Sequence, residues 1–217
     1  MKTALARLAV VVAVSSSACA PQNTGPTADE GAAYLGITSG TTLTYAASDS
    51  TVETHTFKDS DVQVLGALTV GMDAAANGFA VDVRSLTLAV DTEQLSIMRF
   101  FGCLSRCATA DQPIAVLQWP LEEGQSTVGE ANVTETLNGE AVQTRTERHT
   151  TTVGAQADIT VPAGTFPAFA VNWSRTVIDA TGAETATDSA VLQWAPDVGI
   201  VRHETFEGIT LELQTAP

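Results

Sequence analysis

Apolar and polar residues alternate one by one along most of this chain. Phe169, Val171 and Trp173 alternate with Ala168, Ala170, Asn172 and Ser174. Ile209, Leu211 and Leu213 do so with Thr210, Glu212 and Gln214, and Leu43 and Tyr45 with Thr42 and Thr44. A period of two sends successive side chains to opposite faces of a strand, whereas a helix needs a period near 3.6. Turn signals fall between the alternating runs. Asn77-Gly78 and Asn138-Gly139 suit type I′ hairpins, whose two central residues both take positive φ. Asp179–Ala183 reads as a longer hairpin loop, and Pro162-Ala163-Gly164 closes the strand before it. The expected fold is all-β: a single antiparallel, strongly twisted sheet, forming a sandwich or half-barrel of about 11–12 strands. Helix is confined to one short turn at Ala28–Tyr34.

The N-terminus reads differently. Lys2 and Arg7 precede an apolar run, Leu8–Val14, which ends in Ser16-Ser17-Ala18-Cys19. This is the layout of a bacterial export signal. The apolar run is about half of the ~20 residues that span a bilayer as a helix. Cleavage before Cys19 leaves a thiol that can carry a diacylglycerol and hold the protein to a membrane. Cleavage after Ala20 is the rival, giving a periplasmic or secreted protein. The expected organisation is residues 1–18 as signal peptide, 19–30 as lipid-anchor cysteine and flexible tether, and 31–217 as one antiparallel β domain. Pro21–Thr27 is too polar to bury and suits the tether. Ala20 stands where inner-membrane retention of enteric lipoproteins uses aspartate, which points to the outer membrane.

The precursor carries 10 basic and 25 acidic residues. Loss of Lys2 and Arg7 leaves eight basic residues and a net charge of −17. A field of that sign repels nucleic acid, so no nucleic-acid partner is expected. Cys103 and Cys107 remain beside Cys19, and in an oxidising envelope such a close pair forms a disulfide. Their segment must then turn, because an extended strand sets positions four apart at roughly 13 Å. Reactive thiols and a metal site are the alternatives.

Catalytic templates are missing: there is no G-x-S-x-G, no H-E-x-x-H and no phosphate or calcium loop. No catalytic residue, metal or cofactor is assigned. His55, His149 and His203 each lie among threonines and charges in an expected strand, so a shared site depends on strand pairing. Thr144–Thr152 is polar on both faces and reads as a solvent-exposed or edge strand defended by its charges.

Four segments carry a family resemblance: Tyr34–Tyr45; Trp119-Pro120-Leu121 with Gly124-Gln125; Val161-Pro162-Ala163-Gly164-Thr165-Phe166; and Trp194 to Val201 with Val198-Gly199. Together they resemble a group of bacterial envelope lipoprotein domains of unassigned function. Ala195, where such domains often carry tyrosine, and the Cys103/Cys107 insert depart from the pattern. The resemblance implies an antiparallel β architecture and an envelope location, but no reaction. The expected function is a non-catalytic binding or structural role, with a protein or an apolar small molecule as partner. A carrier of an apolar or lipid ligand and a hydrolase are the alternatives. Trp173 and Trp194 are the candidates to face a ligand.

Overall fold

The computed structural model describes residues 27–80, 85–100, 106–206 and 208–215. The signal peptide, Cys19 and Cys103 lie outside them. One helix, α1 (Ala28–Tyr34), precedes thirteen strands. They are β1 (Thr42–Ala47), β2 (Val52–Asp59), β3 (Leu68–Ala76), β4 (Phe79–Ala80), β5 (Leu86–Val90), β6 (Gln94–Phe100) and β7 (Arg106–Gln118). After these come β8 (Ser126–Leu137), β9 (Glu140–Val161), β10 (Gly164–Ile178), β11 (Glu184–Ala195), β12 (Gly199–Glu204) and β13 (Thr210–Thr215).

The sheet is antiparallel in every pairing given, in the order β2-β1-β13-β12-β11-β10-β9-β8-β7-β6-β5-β3. β3 then pairs with β2, Glu53 opposite Ala76 through Asp59 opposite Val70. Twelve strands thus close into a barrel, and the two-residue β4 hangs on β3. The open sandwich or half-barrel is corrected to a closed ring. A closed ring has no unpaired edges, which sequence periodicity cannot show. The expected turns are present: Asn77 and Gly78 have φ of 49° and 81°, and Asn138 and Gly139 have φ of 51° and 87°.

Alternation fixes inside and outside. β8 buries every second residue from Thr127 to Glu135 and exposes Ser126, Val128, Glu130 and Asn132. On this strand the outward positions are polar apart from Val128, whereas a membrane-spanning barrel needs an apolar band outside.

β7 departs from the simple ring. Its ladder with β8 runs from Arg106 opposite Leu137 to Ala110 opposite Val133. The Asp111 carboxylate then accepts from the Asn132 backbone and side-chain amides, at 3.1 and 2.9 Å. Beyond it, β7 passes over the inner face of its neighbours. The Ala115 backbone lies where a Cβ on Gly129 would stand. Thr151 Oγ1 donates to the Val116 carbonyl at 2.5 Å. A missing side chain is what allows this backbone approach.

α1 closes one end of the barrel. Residues 28–30, read from sequence as the last of the tether, are its first turn. Thr27 and Glu30 form a reciprocal cap: Glu30 Oε2 accepts from the Thr27 backbone at 2.7 Å, and Thr27 Oγ1 from that of Glu30 at 3.2 Å. Gly31 seats the helix on Trp119, whose indole would lie 2.5 Å from a Cβ there. Tyr34 Oη accepts from the Leu121 N–H at 2.9 Å, and Trp194 Nε1 donates to the Leu35 carbonyl at 3.0 Å.

Candidate functional site

The barrel interior is not filled. A cavity of about 360 Å³ runs from Ile37, beside the helical plug, to Arg106, Arg145, Arg175 and Phe206 toward the other end. Its middle is apolar, walled by Phe57, Met72, Leu88, Ile97, Val171 and Leu192. Protein interiors seldom leave voids larger than a water, so a space of this size is a feature of the fold.

Both tryptophans singled out from sequence line this cavity. Trp194 is 6% exposed and also holds the plug through Leu35. Trp173 Nε1 donates to His149 Nδ1 at 3.0 Å, and Phe206 meets its ring edge-on at 5.4 Å between centroids.

The three histidines all reach the same cavity. Strand pairing brings them there, but they do not converge: among the described residues, no three His, Cys, Asp or Glu side chains form a metal-holding group. Two have an acid two residues earlier on the same strand face. Glu53 Oε1 lies 2.7 Å from His55 Nε2, and Glu147 Oε2 lies 3.3 Å from His149 Nε2. An indole N–H can only donate, so His149 Nδ1 accepts from Trp173 and the ring proton sits on Nε2, facing Glu147.

An ionic chain runs from buried Glu147 out to exposed Arg106. Arg145 bonds Glu147 Oε1 through Nε at 2.7 Å and Glu135 Oε2 through Nη1 at 3.1 Å. Arg106 Nε donates to the other Glu135 oxygen at 2.6 Å. Burial pushes the Glu147 carboxyl up, but the hydrogen bond from His149 and the charges of Arg145 and Arg175 outweigh it. The carboxyl is held below the usual carboxylate range. Glu135 is also held low, chiefly by the Arg106 hydrogen bond, against its own burial. Beside the chain, Arg175 pairs with Asp188 and lies over the Phe206 ring at 5.2 Å. At the other wall, burial and the charge of Glu53 push the Tyr45 phenol up, and its hydroxyl donates to the Ile200 carbonyl at 2.9 Å.

The reading of Thr144–Thr152 as an exposed or edge strand is overturned. β9 lies between β8 and β10 in the ring, and Glu147, His149 and Thr151 are buried. Arg145, Glu147, His149 and Thr151 recur at every second position, which is the signal of an inward face. The charges hide it, because an isolated charged side chain by itself points to solvent. Glu53-x-His55 repeats the Glu147-x-His149 spacing. Arg106, Glu135, Arg175 and Asp188 carried no separate signal. Cys107 lies on β7 with Sγ 3.7 Å from Thr109 Oγ1. Its expected partner Cys103 and the anchor Cys19 fall outside the described residues.

No curated protein matches this sequence. Two crystal structures share its fold. One, from Parabacteroides distasonis, is named a lipoprotein; it has a TM-score of 0.56 and 15% identity, covering 85% of this chain and 98% of its own. The other, from Bacteroides fragilis, is named an exported protein with a YmcC-like fold; it has a TM-score of 0.52 and 12% identity, with the same coverage of 85% and 98%. A family model described as DUF3108-like matches residues 41–210, from just before β1 to the start of β13, and the chain belongs to the DUF3108-like family.

Proposed function

We propose that this is an exported envelope protein that holds an apolar small molecule in its barrel without acting chemically on it. The observation that carries this is the cavity of about 360 Å³ with its apolar middle. Its size falls within the ~300–1,000 Å³ range of small-molecule sites, which are concave, mostly apolar and edged by a few placed polar groups. An empty apolar void forfeits the dispersion contacts of its lining, and a bound chain restores them.

Binding rather than catalysis fits the polar groups. Both His149 nitrogens are engaged, by Glu147 and Trp173, so the ring is held in place rather than poised as a base. The Thr151 hydroxyl is spent on the Val116 carbonyl and that of Thr205 accepts from the Ile209 amide. The cavity lining has no serine or cysteine among the described residues.

The location follows from the N-terminus. The signal preceding Cys19 supports export and lipid anchoring, and Ala20 favours the outer membrane. The names of the two similar structures, lipoprotein and exported protein, agree with that direction. In that oxidising compartment Cys103 and Cys107 form a disulfide.

The test begins with native mass spectrometry of the protein purified from cell envelopes. It is expected to show an added apolar mass within the fold and lipid on Cys19. The delipidated protein is then titrated with N-phenyl-1-naphthylamine, an uncharged dye that brightens in apolar sites. Saturable brightening is expected, and its loss in a Leu88→Trp/Ile97→Trp double variant that still melts cooperatively. A dark titration, or one unchanged by filling the cavity, removes the reading.

A further inference from the structure

The two ends of the cavity are built differently. Near α1 its lining residues Ile37, Leu95, Leu117 and Trp194 are buried. The plug behind them is fastened by hydrogen bonds. Trp194 Nε1 donates to the Leu35 carbonyl at 3.0 Å, the Leu121 N–H to Tyr34 Oη at 2.9 Å, and the Asp197 N–H to the Tyr34 carbonyl at 2.7 Å. Gly36 presses on the Val198 backbone, whose oxygen would stand 2.3 Å from a Cβ there. A ligand passing this way has to break those bonds and uncover wholly buried Leu35. The wall is no easier, because ladders join neighbouring strands all round the ring. Where the β7–β8 ladder stops, the Ala115 backbone lies against Gly129.

The far end differs in kind. The side chains of Arg106 and Arg175 keep 47% and 28% of their surface exposed, so the lining reaches solvent there. Phe206 stands at this end, half-buried, on the link between β12 and β13. The link is tied to itself. The Thr205 N–H donates to the Ile209 carbonyl and the Gly208 N–H to the Thr205 carbonyl, both at 2.9 Å, and the Ile209 N–H donates to Thr205 Oγ1 at 3.2 Å. The Phe206 ring rests edge-on against Trp173 and over the Arg175 guanidinium. A phenyl ring makes no conventional hydrogen bond. Phe206 therefore turns on its own side-chain torsions, leaving both neighbours, while the link and the barrel stay as they are.

From this asymmetry we infer that the lumen fills and empties at the end away from α1, and that the Phe206 ring is the gate a ligand displaces. This rests on the lumen-binding reading and adds the route and the step that limits exchange. The path inward is marked by rings. Behind Phe206 come Trp173, His149 and Phe100, with successive centroids 5.4, 5.5 and 5.7 Å apart, and all four line the cavity. They pass from half-buried Phe206 and Trp173 to buried His149 and Phe100, so an apolar molecule that moves the first ring meets another at each step. A gate has a kinetic signature. It stands in the way of entry and exit alike, so it slows both rates and leaves their ratio alone. A residue of the binding wall instead changes mainly the exit rate.

Stopped-flow fluorescence with N-phenyl-1-naphthylamine tests this on the full mature protein. Association is read on mixing with dye, and dissociation on dilution of the loaded protein. Phe206→Ala is expected to raise both rates about fivefold or more, with a dissociation constant within about twofold of the unaltered protein. If Phe206→Ala does not fold, Phe206→Leu removes the ring and keeps an apolar side chain, and the same paired rise is expected. Tyr34→Phe removes the acceptor of the Leu121 N–H at the plug and should leave both rates unchanged. Unchanged rates in a folded Phe206 variant, or a rise in dissociation alone with affinity lost, overturn the gate. Faster exchange in Tyr34→Phe overturns the route, placing it at α1. Each of these outcomes leaves the lumen reading standing. No saturable brightening in the unaltered protein overturns the gate together with that reading.

Discussion

Glu147 shows how much a single buried side chain can set. It is wholly buried, yet hydrogen-bonded by Arg145 and His149, and its carboxyl is held below the usual range. A carboxyl whose folded-state pKa is depressed binds fewer protons folded than unfolded. Its contribution to stability is therefore complete above its ordinary value of 4.5 and is lost as pH falls through the folded value. Urea unfolding at pH 7, 5, 4 and 3 should show the midpoint dropping below about pH 4.5. Glu135, shifted the same way, adds to the slope. Glu147→Gln should be less stable at pH 7 and show a shallower acid decline. An unchanged decline in that variant would remove the assignment. Breaking a buried pair by deleting one partner typically costs about 3–5 kcal/mol.

Among the elements, β9 carries the largest difference between sequence and structure. Its charged residues suited an exposed strand, because an isolated charge is costly to bury. The tertiary fold removes that objection by supplying partners from β8 and β10: Glu135 for Arg145 and Trp173 for His149. Such partners lie 10 and 24 residues away and no local pattern announces them. The hairpin turns were legible because Asn-Gly states its own backbone geometry. α1 was legible in position but not in role, since its seat on Trp119 is a long-range contact. At the β7–β8 crossing, Gly129→Ala would drive a methyl into the Ala115 backbone. Overpacking of this kind costs about 1–3 kcal/mol. A fall in melting temperature of several degrees is expected, against almost none for Gly139→Asn in an open turn position with φ of 87°, where asparagine tolerates the left-handed region. Equal losses would show that the crossing is not tight.

At the scale of the molecule, closing twelve strands removes every long edge and creates an inside. The inside is wider than its side chains fill, and α1 with Trp119 and Trp194 closes one end of it. A ligand that binds only this folded barrel must stabilise it by mass action. At a free concentration about 100 times its dissociation constant the gain is about 2.7 kcal/mol. For a domain of this size that is roughly 5–10 °C in melting temperature. A thermal scan with dodecanoate should show this rise, and the Leu88→Trp/Ile97→Trp barrel should not. A scan that does not move at saturating probe would deny the barrel a ligand of that kind.

Strands, turns and the all-β class follow from local pattern alone, because alternation and Asn-Gly pairs act over a few residues. The proposed export signal before Cys19 is likewise a linear pattern, legible without a fold. Closure of the ring depended on β3 meeting β2, a pairing that either strand's pattern permits and neither demands. The cavity depended on closure, because only a ring defines an interior. The gathering of Arg145, Glu147, His149, Trp173 and Arg175 depended on register, which in the folded barrel sets Arg175 opposite His149 and Trp173 opposite Thr151. A shift of one residue would have turned the same side chains to water.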